Sequence, residues 1–169
     1  MDGLRSAGIA TAVNCALTGD GAPPAVGTPV YGADGELLTT YRKQRLYESE
    51  HQLLEPGDRD GRFALDGIRF ALAVRYDHHF PELTARGAAD GCRVRLAGSL
   101  YGTGGGVEER ATVCPAIARD TGMDVVLADH VGPAGPWTGC GGAAVRAPGG
   151  TLLAEADDRT PTVVTAEVG

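Results

Sequence analysis

The sequence predicts an α/β layered sandwich built on a mixed sheet, and three observations carry the prediction. Two-residue turn signals, Asp34-Gly35, Asp66-Gly67 and Gly149-Gly150, sit between β-forming runs and imply hairpins, hence antiparallel pairs. Between Ile68 and Val131 the chain alternates strand and helix patterns, which implies parallel crossovers. The run "IRFALAV", residues 68–74, is apolar on both faces after Arg69, as a strand in the middle of a covered sheet must be.

Taken in order, residues 9–15, "IATAVNC", read as a first buried strand following the tail of a helix. "TPVYGADGELLTTYRK" reads as two strands joined through Asp34-Gly35, and residues 63–74 as a second hairpin through Asp66-Gly67. From Phe80 to Asp90 the pattern favours a helix, with Pro81 acceptable in its first turn. Asp77 is placed to cap that helix, as short acidic side chains do. "RVRLAG" follows as a strand, "GTGGGVEE" at 102–109 as a flexible loop, and 107–120 as a helix. "DVVLADHV" is a further strand, "GGAAVRAPGGTLLAEA" a hairpin through Gly149-Gly150, and "TVVTAEV" a closing strand. Two residues sit badly in this scheme. Arg95 lies mid-strand, where an unpaired buried cation is expensive, and Pro115 lies mid-helix, where proline costs about 3 kcal/mol.

Length bounds the organisation: 169 residues make one domain, 1–169, with enough chain for a sizeable core. With 43% hydrophobic and 22% charged residues the composition is that of an ordinary globular chain. A net charge of −7 argues against nucleic acid or an anionic membrane as partner. No run is apolar enough to span a bilayer and "MDGLRSAGIA" lacks the pattern of a signal peptide, so the expected location is cytoplasmic. The four cysteines, Cys15, Cys92, Cys114 and Cys140, are too scattered for a zinc site and read as reduced, packed thiols. Lys43 is the single lysine among 15 basic residues, a compact, tunable charge kept in an arginine background.

Four segments in order, "GELLTTYRKQRL", "EHQLLEPGD", "VRYDHHFPEL" and "GGAAVRAPGGTLLAEA", give the chain from about Ile9 to Val168 a resemblance to the nitrilase, or carbon–nitrogen hydrolase, superfamily. The resemblance implies a four-layer αββα sandwich with mixed sheets, forming dimers. It also implies hydrolysis of amide, nitrile or carbamoyl C–N bonds by a cysteine, a glutamate and a lysine. The residue types suit the reaction: a thiolate attacks the carbonyl, a carboxylate takes the thiol proton and later activates water, and an ammonium stabilises the oxyanion. Neither a metal nor an organic cofactor is required.

Carried over position by position, Lys43 falls on the lysine of the family's "YRK" motif and Glu50 on its second glutamate, with Glu48 and Glu55 as close competitors. The nucleophile's place, directly before Tyr76-Asp77, holds Arg75, which stays protonated and cannot attack. Arg75 would also set a second cation near Lys43, needing a carboxylate such as Glu50 to bridge them. The family's first glutamate lies on a strand ahead of the region where this chain begins, so the chain is expected to lack the first strand, the first helix and the general base.

The resemblance also places Tyr76, His79, Tyr101 and Trp137 as candidate substrate-binding residues; His78 and His79 read otherwise as elbow residues, one exposed and one bonded to backbone. The reading is therefore a carbon–nitrogen hydrolase homologue that is inactive as written. The alternative is a non-catalytic binding or regulatory subunit that pairs with an active paralogue. A retained hydrolase would need a start upstream of Met1 together with a misread Cys codon at 75, which differs from Arg by one base, or another nucleophile. Cys140, in the glycine-rich "PWTGCGG", is the best exposed candidate, with His130 as the one nearby base. The partners expected are a small amide or nitrile if the chain is active, and a second copy or a paralogue.

Overall fold

A computed structural model describes residues 8–19 and 21–168 of the chain. The helix tail expected before Gly8 lies outside them. The longest strand, β3 (Ala22–Tyr31), organises a four-stranded sheet: β1 (Thr11–Ala12) and β2 (Cys15–Gly19) lie in series along one edge, and β4 (Leu37–Arg42) pairs with the other. All of these pairings are antiparallel.

A six-stranded mixed sheet follows from β5 (Arg62–Leu65), β6 (Ile68–Val74), β7 (Val94–Ser99), β8 (Asp124–Asp129), β11 (Ala144–Arg146) and β12 (Leu152–Glu155), in the order β12-β11-β8-β7-β6-β5. β6, β7 and β8 are mutually parallel, joined by α1 (Pro81–Ala89) and α2 (Gly105–Thr121); the other pairs are antiparallel. β9 (Val131–Ala134) and β10 (Trp137–Cys140) form a separate hairpin. The β5–β6 turn holds Asp66 at φ 51° and Gly67 at φ 81°, the left-handed pair that a tight hairpin with native twist needs.

Strand periodicity decides the layers. Leu72 and Val74 of β6 pack with Val30 and Tyr41 between the two sheets. Ala71 and Ala73 point the other way, into the clusters beneath the helices with Met123, Ile117 and Ala118. Small residues on that face let α1 approach closely: a Cβ on Gly87 would stand 3.1 Å from that of Ala71. The described residues thus stack as helices, large sheet and small sheet. No helix among them is long and apolar enough to cross a membrane.

Several expectations are corrected. Residues 9–15 are not a buried strand: Ile9 is 65% exposed, and the strand is interrupted at Val13-Asn14 before β2 begins. "DVVLADHV" breaks at His130, because the Asp129 carboxylate accepts from Tyr101 N and His130 N, and the chain turns into β9. α2 starts at Gly105, inside the expected loop. "TVVTAEV" forms no strand; it finds no neighbour to pair with, and Val163 is 89% exposed. Pro115 does lie inside α2, and Arg95 is buried in β7.

Candidate functional site

At the end of β6 the chain turns sharply. Arg75 takes φ 31°, a 3-10 turn runs over Arg75–His79, and Pro81 opens α1. This elbow lifts residue 75 to the top of the strand, as nucleophile elbows do. The Arg75 guanidinium is bound bidentately by Glu109 of α2, Nη1 to Oε1 at 2.7 Å and Nη2 to Oε2 at 3.0 Å. It also lies over the Tyr101 ring, 4.6 Å from the centroid. His79 Nε2 stands 2.6 Å from Glu109 Oε1 and 2.9 Å from Arg75 Nη1.

Lys43 follows β4 and is 3% exposed. Its Nζ donates to both oxygens of Glu50, at 2.7 and 2.6 Å, and Glu50 Oε2 also accepts from Tyr47 N. Its backbone is held on both sides, N–H to Val26 O and C=O from Gly57 N. Gly57, of the "PGD" segment, passes so close that a Cβ there would lie 2.3 Å from Arg42 O, which leaves room for glycine alone.

Both groups face one cavity of about 1120 Å³, lined among others by Lys43, Glu50, Arg75, Tyr76, Glu109 and Trp137. Of the residues expected there, Lys43, Glu50, Arg75, Tyr76 and Trp137 converge. Tyr101 does not reach the wall: it is fully buried beneath Arg75, with its hydroxyl 3.0 Å from His78 Nδ1. His79 is exposed, as expected of one of the pair, and bonds Glu109 outside the cavity lining, while His78 is buried with Nδ1 on the Tyr101 hydroxyl, so the expected backbone bond is not made. Glu50 does not bridge the two cations; Arg75 has its own carboxylate, Glu109, which a chain reading misses because nothing local separates it from Glu108.

Cys140 is not exposed. It is 4% accessible, with Sγ 3.8 Å from Asp129 Oδ2, and burial pushes its thiol pKa up. Burial raises the Asp129 carboxyl as well. Asp77 does not cap α1, for it is fully buried with both oxygens occupied elsewhere. Among the described residues no group of three His, Cys, Asp or Glu could hold a metal ion.

Residues 19–169 match the carbon–nitrogen hydrolase family model. The chain belongs to that family. The chain is similar to Hydrolase Rv0480c of Mycobacterium tuberculosis, 31% identical over 121 residues, which is 68% of this chain and 43% of that protein. Omega-amidase NIT2 of Homo sapiens is 35% identical over 74 residues, 38% of this chain and 27% of that protein. The chain spans less than half the length of these curated relatives. Among solved structures it is similar to the nitrilase-superfamily amidase from Nesterenkonia sp. AN1, with a TM-score of 0.86 and 27% identity over 92% of this chain and about 60% of that one. One mutant of that amidase shows covalent addition of the acetamide moiety of fluoroacetamide at its active site cysteine, and another is in complex with butyramide. The nitrilase-type fold expected from the sequence is therefore the fold of this member of the carbon–nitrogen hydrolase family.

Proposed function

We propose that this member of the carbon–nitrogen hydrolase family binds small amides in the Lys43–Glu50 cavity and does not cleave them through residue 75. The observation that carries the reading is the Arg75–Glu109 pair at the tip of the elbow. Cleavage of an amide by this family's chemistry begins with attack on the carbonyl carbon, and a guanidinium bound at both nitrogens has no lone pair to offer. The groups that recognise a carbonyl remain: Lys43 supplies an ammonium fixed by Glu50, and Tyr76 and Trp137 supply aromatic walls. Butyramide, held by the neighbour amidase, represents the ligand class.

The test is calorimetric titration with butyramide beside an ammonia-release assay. Saturable binding that Lys43→Met weakens at least tenfold, with no ammonia released above the rate without protein, is the expected result. Ammonia release that scales with protein and vanishes in Lys43→Met would overturn it.

A further inference from the structure

Two residues of the quoted segments that no catalytic role absorbs, Tyr41 and Asp77, are bonded to each other. Asp77 has no exposed surface. Its Oδ2 accepts from the Tyr41 hydroxyl at 2.8 Å and from Val74 N at 2.9 Å, and its Oδ1 accepts from Arg45 N at 3.0 Å. Tyr41 and Arg45 stand two residues before and two residues after Lys43, and Val74 directly precedes Arg75. One carboxylate therefore ties down both flanks of Lys43 and the last backbone unit before position 75. We propose that Asp77 is the positioning residue that sets the spacing between Lys43 and the side chain at position 75.

Arg95 is otherwise hard to account for. It is 1% exposed, its Nε and Nη2 have no partner, and no ion pair holds it among the described residues. Burial pulls its pKa down, and Asp77 is the foremost of the charges that oppose that pull. A buried cation and a buried anion lower the cost of each other's burial. Tyr41 completes the arrangement: burial first, then Asp77, keeps its proton on, so the phenol remains a donor.

The inference rests on where Lys43 and residue 75 stand, and not on whether amides are cleaved, so its test needs no turnover. In an Arg75→Cys, Cys15→Ser protein, the pH dependence of iodoacetamide alkylation gives the apparent pKa of the thiol at position 75. The charged or titratable groups around that position are Lys43 and Glu50 across the cavity, Glu109 from α2, His79 and the buried Asp77 and His78 on the elbow, Asp129 of β8 and His130 directly after it. Adding Lys43→Met raises the apparent pKa by about one unit, as loss of a nearby cation does. Adding Asp77→Asn instead gives a rise in protein that remains folded, reduced by what loss of the Asp77 charge itself takes off the thiol pKa, because the amide cannot accept at all three bonds and the ammonium drifts away. The two changes together give no more than the larger one alone. Tyr41→Phe, which removes a single bond, gives a smaller rise and carries the test if Asp77→Asn does not fold.

A melting temperature that falls in Asp77→Asn or Tyr41→Phe while the apparent pKa stays at the parent's value would overturn the proposal and leave Asp77 a purely structural residue. An apparent pKa that Lys43→Met fails to move would overturn it too.

Discussion

At residue 75 the backbone conformation and the chemistry of the side chain it presents are set separately. At φ 31° a residue with a side chain pays for a sparsely populated conformation, of order 1–3 kcal/mol. The elbow holds it nonetheless, because Asp77 binds Val74 N from below and α1 begins directly after the turn. What the side chain can do is then a matter of residue type alone, and arginine contributes charge and directionality but no nucleophile. The native cysteines do not replace it. Burial pushes the Cys114 thiol up to about 11 and raises that of Cys140, and Cys92 is buried as well. Iodoacetamide near neutral pH therefore labels Cys15 alone in the folded protein, and denaturant exposes the other three; peptide mass mapping reads this directly. A rapid native adduct on Cys140 would return it to consideration as a nucleophile. The Lys43–Glu50 pair was reached through the resemblance, from the "YRK" motif and the glutamate a few residues before "PGD". Glu109 was not, since only the folded elbow brings it against a residue 34 positions earlier.

Among the elements, those signalled locally came out as read. The hairpins at Asp34-Gly35, Asp66-Gly67 and Gly149-Gly150 need only their own turn geometry, and α1 needs only its proline start and apolar spacing. Residues 9–15 and 162–168 have equally good strand patterns, but a strand needs a neighbour's hydrogen bonds, and neither stretch finds a full set. α2 is the opposite case, an element kept against local preference. Pro115 removes the N–H that would bond the carbonyl of Ala111, yet the helix continues to Thr121 because Cys114, Ile117 and Ala118 are buried against the sheet. Pro115→Ala should restore that bond while losing some packing of the ring. The expected net gain is about 1–2 kcal/mol in unfolding free energy, read from the urea midpoint. An unchanged or lower midpoint would mean that the pyrrolidine ring is itself part of the core.

For the whole molecule, the layers followed from strand periodicity, while the split into a four-stranded and a six-stranded sheet required pairings that no local signal carries. The same long-range packing makes stability depend on pH in two stages. His78 is fully enclosed, and burial holds its pKa well below that of a free imidazole, with the Arg95 charge adding to the effect. Below about pH 6.5 the unfolded chain takes up a proton that the folded chain refuses, so stability falls by up to about 1.4 kcal/mol per pH unit. Asp60 acts later. It accepts from Arg86, Arg62 and Gln44, joining α1, β5 and the segment after β4, and the Arg86 guanidinium above all holds its carboxyl well below the usual range. Its stabilisation is complete above the unfolded pKa near 4 and is lost as pH drops below that value toward the folded one. Urea unfolding over a pH series separates the two stages. His78→Gln, which cannot titrate, should flatten the curve between about pH 6.5 and 5 and leave the acid limb intact. Asp60→Asn should lower stability at neutral pH and flatten only the limb below about pH 4. A His78→Gln curve parallel to that of the parent across the upper window would show that the imidazole accepts its proton within the fold, opening the elbow to water at the site where Arg75 and Tyr101 meet.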